Sequence, residues 1–111
     1  MITLDSEAAL ETCLAASEEN PVLILKHSTR CPISSGALRE VHDFLEDGEG
    51  AVPAAYINYV VEDRAISNAI ASRLGIRHES PQAFLVSRGA VEWQASHGGI
   101  TAQAIAAACG R

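Results

Sequence analysis

Val22-Leu23-Ile24-Leu25-Lys26-His27-Ser28-Thr29-Arg30-Cys31-Pro32-Ile33-Ser34 is the stretch on which the fold of this chain turns. Its first half is a short continuous apolar run, the pattern of a strand buried on both faces. After it, Ala37, Leu38, Val41, Phe44 and Leu45 recur at helical spacing. Cys31 therefore stands at a strand-to-helix turn, with its sulfur near the first free N–H groups of the helix. Those groups and the helix dipole favour negative charge, so the thiolate is favoured over the thiol. Arg30 adds a cation next door, and Pro32 fits the first helical turn, where its missing N–H is no loss. The position that would hold a second thiol in a C-x-x-C motif is Ser34. The pattern is that of a redox site with one thiol.

Working outward, Met1 to Leu4 reads as a short edge strand. Asp5 or Ser6 caps a helix with Leu10, Cys13 and Leu14 on one face, and Asn20-Pro21 stops it. The helix after Cys31 is expected to end near Asp47-Gly48, with Glu49-Gly50 as a turn. Val52 to Val61 carries strong strand character. Asp63 begins a helix with Ile66, Ile70 and Leu74 at helical spacing, and Gly75 is its natural stop. Ser80-Pro81 precedes a strand at 82–87, Arg88-Gly89 makes a tight hairpin turn, and a second strand follows at 90–95. Gly98-Gly99 and Thr101 then open a last helix with Ala102, Ile105, Ala106 and Cys109 on one face. The order β-α-β-α-β-α-β-β-α predicts a single α/β domain over residues 1–111. Its central mixed sheet combines parallel crossovers with a closing antiparallel hairpin and is flanked by helices.

The bulk properties agree with a soluble globular domain. The chain has 111 residues, 48% hydrophobic and 20% charged, enough for one core without metal or disulfide staples. A formal charge of −6 argues against nucleic acid or an anionic membrane as partner. Met1 to Asp5 has no positive, apolar leader pattern, and no apolar run approaches the ~20 residues of a membrane span. Three cysteines without framework spacing fit free thiols in a reducing compartment, so the expected location is cytoplasmic. No metal-ligand spacing or phosphate loop is present, and no tightly bound cofactor is expected.

The whole chain resembles the thioredoxin fold: a strand, a Cys-Pro helix start, a second strand and helix, then Gly75-Ile76-Arg77-His78-Glu79-Ser80-Pro81 and a hairpin. Within that superfamily, Lys26 to Ser34, His78-Glu79-Ser80-Pro81-Gln82 and Ser96-His97 resemble the monothiol bacilliredoxins of the YtxJ-like family. The resemblance implies thiol–disulfide exchange at Cys31 on mixed disulfides between proteins and bacillithiol, a small cysteinyl-sugar-malate thiol. Bacillithiol would then be a co-substrate, and the partners would be bacillithiolated client proteins and a low-molecular-weight thiol. It also implies a cis bond before Pro81, with that proline facing the nucleophile and the Ser80 backbone pairing with substrate. Gly98-Gly99 resembles the glycine pair that opens the last helix of glutaredoxins, where a thiol cofactor's carboxylate binds.

Each of these residues has a plainer reading. Ser34 either donates to the Cys31 sulfur or satisfies backbone at the helix start. Gly98, Gly99 and Thr101 either present N–H groups, with that of Ile100, to an anion or form a turn capped by Thr101. Cys13 and Cys109 read as core packing, Lys26 and His27 as solvated surface cations on opposite faces of the strand end, and His78 and His97 as packed or exposed residues. Arg30 is the best candidate to hold an anion near the sulfur. Alternative functions on the same fold are glutathione-linked exchange as in monothiol glutaredoxins, an iron–sulfur carrier, and a thioredoxin-like binding module without turnover.

Overall fold

The computed structural model describes residues 1–47 and 52–110; the expected Glu49-Gly50 turn lies outside them. Along the chain run β1 (Ile2–Thr3), α1 (Glu7–Ala16), β2 (Val22–His27), α2 (Pro32–Glu46), β3 (Ala54–Tyr59) and α3 (Arg64–Leu74). Then come β4 (Gln82–Ser87), β5 (Ala90–Ser96), a 3₁₀ turn at His97–Gly99 and α4 (Ala102–Ala108). The strands form one sheet in the order β1-β3-β2-β4-β5. β3 pairs parallel with β1 and β2, while β4 pairs antiparallel with β2 and β5. This is the mixed sheet that the element order predicts.

β2 lies at the centre, and all six of its residues are buried. Successive side chains point to opposite faces, so the apolar run splits into two cores. Val22 and Ile24 pack with Leu10, Cys13, Ile66 and Ile70 of α1 and α3. Leu23 and Leu25 pack with Ala37, Val41, Phe44 and Ile105 of α2 and α4. A single apolar strand thus serves helices on both sides.

Local chemistry explains most element ends. Ser6 caps α1 by accepting from Ala9 N–H (3.0 Å). Gly75 ends α3 at φ +66°, the left-handed conformation glycine adopts without steric cost. Arg88 and Gly89 both have positive φ, as a two-residue hairpin turn requires. The turn is also held from below, because Arg88 N–H donates to Ser17 O and Gly89 N–H to Ser17 Oγ. β3 is shorter than the Val52–Val61 run. Pro53 has no N–H for the ladder, and the partner strand runs out at His27, which pairs with Tyr59.

The last helix departs from expectation. Gly98 and Gly99 belong to the 3₁₀ turn, and Thr101 is the cap of α4, its Oγ1 accepting from Ala104 N–H (3.0 Å). Ile105 is the fully buried residue of α4, and Cys109 closes the helix as its C-cap. Among the described residues, no helix is long and apolar enough to cross a membrane.

Candidate active site

The antiparallel pairing of β2 with β4 matches Lys26 with Gln82, so the end of β2 and the start of β4 share one edge of the sheet. Cys31 lies four residues beyond His27, and Pro81 one residue before Gln82. β5 ends at the same edge, where Ser96 pairs with Gln82 and His97 N–H donates to Pro81 O (3.1 Å). The topology thereby gathers Cys31, Ser80-Pro81 and Gly98-Gly99. The Ser80–Pro81 peptide bond is cis, as the resemblance implies.

Cys31 is the N-cap of α2, with extended backbone (φ −120°, ψ 119°) and Pro32 in the first turn. Its carbonyl accepts from Ser34 and Ser35 N–H (3.1 and 3.2 Å), and its own N–H donates to Ser28 O (3.3 Å). Its side chain makes no capping bond among the described residues and is half-buried, which leaves the sulfur on a partly accessible helix start. Ile33 beside it is 55% exposed. Arg30 is exposed, its backbone N–H donating to Ser28 Oγ (3.3 Å). Cys13 contrasts with Cys31: it is fully buried in the α1/α3 core, and burial pushes its thiol up to about 12.

Ser34 is fully buried. Its Oγ accepts from Ser28 N–H (2.9 Å) and lies 2.8 Å from His27 Nδ1. Of the two readings of Ser34, the structure therefore supports backbone satisfaction. It adds a partner that sequence reasoning missed. One hydroxyl ties the strand end, the loop and the helix together. His27 itself is buried against Tyr59, with ring centroids 6.0 Å apart in edge-on geometry. Burial holds its pKa below the ordinary histidine value, which favours the neutral ring.

Lys26 points to the other face of the sheet and is fully buried, which corrects its reading as a surface cation. Nζ lies 3.1 Å from His78 Nδ1 and 5.9 Å from the centre of the Phe84 ring. Ser67 Oγ approaches the same His78 nitrogen at 3.3 Å. Gln82, also buried, holds the neighbouring backbone: Oε1 accepts from Glu79 N–H (3.1 Å) and Nε2 donates to Arg77 O (3.2 Å). The signal for these residues was available. A lysine and a histidine ending a strand with two covered faces are buried with it, and buried polar groups need partners.

The start of α4 is already occupied. Glu40 Oε1 accepts from Ala102 N–H (3.0 Å), and Ile100 N–H donates to His97 O (3.2 Å). A carboxylate of the chain itself thus takes an N–H of the α4 start, beyond the Gly99 and Ile100 N–H groups expected to face an anion. Of the N–H groups expected there for an anion, that of Ile100 is spent on a turn. Among the described residues, no group of three His, Cys, Asp or Glu side chains is placed to hold a metal ion.

Burial lowers the Lys26 pKa from 10.5 to about 8. Between those values the unfolded chain keeps a proton that the folded chain has released, so stability rises with pH across this window. Cys13 acts oppositely from pH 9 upward, because there the unfolded chain loses a proton that the folded thiol keeps. Urea titrations at pH 7.5, 9 and 10 should show wild type gaining on Lys26→Met with rising pH. The slope is bounded by one proton, about 1.4 kcal/mol per pH unit. A pH-independent difference between the two would mean that the buried amine keeps its proton up to pH 10, as the unfolded chain does, and that burial does not lower its pKa.

The comparisons with known proteins agree with this geometry. A solved structure described as a candidate oxidoreductase with a thioredoxin fold superposes with a TM-score of 0.82 at 36% identity, over 96% of this chain and 91% of that one. Thioredoxin from Fasciola hepatica superposes at 0.70 with 11% identity, over 87% and 86% of the two chains. Thioredoxin from Malassezia sympodialis superposes at 0.70 with 15% identity, over 99% and 90%. These two show the fold alone. The family model for monothiol bacilliredoxin BrxC matches residues 2–105. With a thioredoxin fold, a lone thiol on the first turn of α2 and that match over nearly its whole length, the chain belongs to the monothiol bacilliredoxin family of thiol oxidoreductases.

Proposed function

We propose that this protein removes bacillithiol from protein mixed disulfides through the Cys31 thiolate. The observation that carries the reading is a half-buried cysteine capping α2 with a bonded, buried serine where a second thiol would stand. The thiolate attacks the bacillithiol-side sulfur of a protein–S–S–bacillithiol bond. That bond breaks, the client leaves as a thiolate and takes a proton from water, and Cys31 keeps the bacillithiol. A low-molecular-weight thiolate then attacks the bacillithiol sulfur of the Cys31 adduct, leaves as a disulfide with bacillithiol, and releases Cys31 as the thiolate. An external thiol is needed because Cys13 is sealed in the core. Cys109 lines a cavity of about 740 Å³ with Val22, at the opposite end of β2 from Cys31. That strand alone separates the two by roughly 16 Å at ~3.3 Å per residue.

Bacillithiol brings carboxylates to a chain of net charge −6, so attraction has to be local. With Glu40 on the start of α4, the reading places Arg30 and the Ser80 backbone as the anion-side contacts, with Pro81, Gly98, Gly99 and Thr101 shaping the wall. The setting is a reducing cytoplasm, with bacillithiol as co-substrate and no resident cofactor.

Arg30→Gln tests this. Because Arg30 is exposed, its loss should lower kcat/KM on a bacillithiolated peptide less than about tenfold, and the effect should shrink in added salt. The rate on a neutral disulfide should not change. Equal loss on both substrates would remove Arg30 from the anion site. A glutathionylated peptide processed as fast as the bacillithiolated one would overturn the choice of thiol.

A further inference from the structure

The amine of Lys26 has no role in the exchange steps, yet it is buried in the central strand. Among the described residues no carboxylate bonds to it; its hydrogen-bond partner is His78 Nδ1. A buried charge is costly, and an apolar side chain of similar length would fill the same space at less cost. What the amine does that methionine cannot is donate to His78.

The groups around it come from every element packed there. Asn58 on β3 and Gln82 on β4 are its register partners, and Phe84 of β4 lies below it. Ser67 reaches the same histidine from α3. Arg64 at the start of α3 and Glu79 in the loop act on His78 through charge, with opposite signs. To accept from an ammonium, Nδ1 must be bare, which fixes the ring proton on Nε2. The residues flanking His78 are fastened as well, Arg77 O and Glu79 N–H by Gln82. Two buried side chains from adjacent strands thus grip three consecutive loop residues, just before Ser80 and Pro81.

We infer that Lys26 is a positioning residue for the Ile76–Pro81 loop, acting through His78, and that its grip serves the handling of mixed-disulfide substrates rather than the reactivity of Cys31. This rests on the reading that Ser80 and Pro81 contact the substrate. The ammonium stands on the opposite face of the sheet from His27 and Ser34, so it adjusts one wall of the site without touching the other.

The test separates the two walls. In Lys26→Met, exchange with a bacillithiolated peptide should fall about tenfold, since small misplacements of positioning groups cost this much or more. Alkylation of Cys31 by iodoacetamide, which needs no loop, should stay within about twofold of wild type, the span of a minor local change. His78→Leu should copy the loss and His78→Gln, which keeps an acceptor oxygen, should recover most of it. Lys26→Met combined with His78→Leu should be no worse than the poorer single variant, as expected of two groups acting as a unit. Amide hydrogen exchange at Glu79 and Gln82 should quicken in Lys26→Met. Equal loss of exchange and alkylation, or His78→Gln behaving as His78→Leu, or unchanged loop amides would overturn the inference. Should Lys26→Met fail to fold, the two His78 variants decide it, because that side chain is half-buried. If wild type itself does not exchange, the proposed function fails, while the loop amides still report on Lys26.

Discussion

Cys31→Ser should reduce exchange on a mixed-disulfide peptide to the uncatalysed rate and leave the fold intact. The first half follows from chemistry: a hydroxyl is not ionised near neutral pH and forms no disulfide. The second half follows from position. Residue 31 is the N-cap of α2, where its side chain makes no capping bond, and serine is among the residues preferred there. A serine hydroxyl can accept from the Ser34 N–H, so stability should hold or rise by up to about 1 kcal/mol. Mass spectrometry after oxidant and small thiol should show one adduct in wild type and none in the folded variant. An adduct on Cys13 or Cys109 formed at the wild-type rate would move the nucleophile elsewhere.

Ser34→Cys should change the outcome of the reaction rather than its rate alone. Residues 31 and 34 stand at the N-cap and third position of one helix, the spacing of a C-x-x-C pair. A thiol there would attack the Cys31 adduct at high effective concentration and close an internal disulfide. The expected mass is a loss of two hydrogens in the variant, against a small-thiol adduct in wild type. The geometry adds a cost. Ser34 Oγ bonds Ser28 N–H and His27 Nδ1 inside the core, and a thiol is a poor substitute for either bond. The reduced variant should therefore be less stable than wild type by about 1–3 kcal/mol, the range for leaving buried polar groups unpaired. A persistent adduct in the variant would mean that residues 31 and 34 do not face each other.

The order of elements was legible because its signals are local. The β2 apolar run, the Cys-Pro helix start, Gly75 and the Arg88-Gly89 turn each act within a few residues. The position of Cys31 at the start of α2 was legible for the same reason. What could not be read along the chain depends on contacts across it. Glu40 reaches Ala102 from 62 residues away and Lys26 reaches His78 from 52, and no periodicity encodes either meeting. The glycine pair was read as opening the last helix, whereas it lies in the 3₁₀ turn before Thr101, and a distant carboxylate takes the Ala102 N–H at the helix start itself. Ser34 was half legible: its backbone role follows from helix-start chemistry, but its contact with His27 depends on how the strand end is buried.

Lys26 and His27 are adjacent in sequence but work on opposite faces of β2. Neither could do its work if the strand were displaced by a single residue, since such a slip exchanges the faces. The reactive segment is therefore not a portable cassette. Grafting Cys31 to Ser34 onto a host helix would carry the sulfur but leave the serine without its imidazole and the Ile76–Pro81 loop without the Lys26–His78 contact. The smallest transferable unit runs from Lys26 to Ser34. It needs a host strand covered on both sides, with a histidine-bearing loop within reach of one of them.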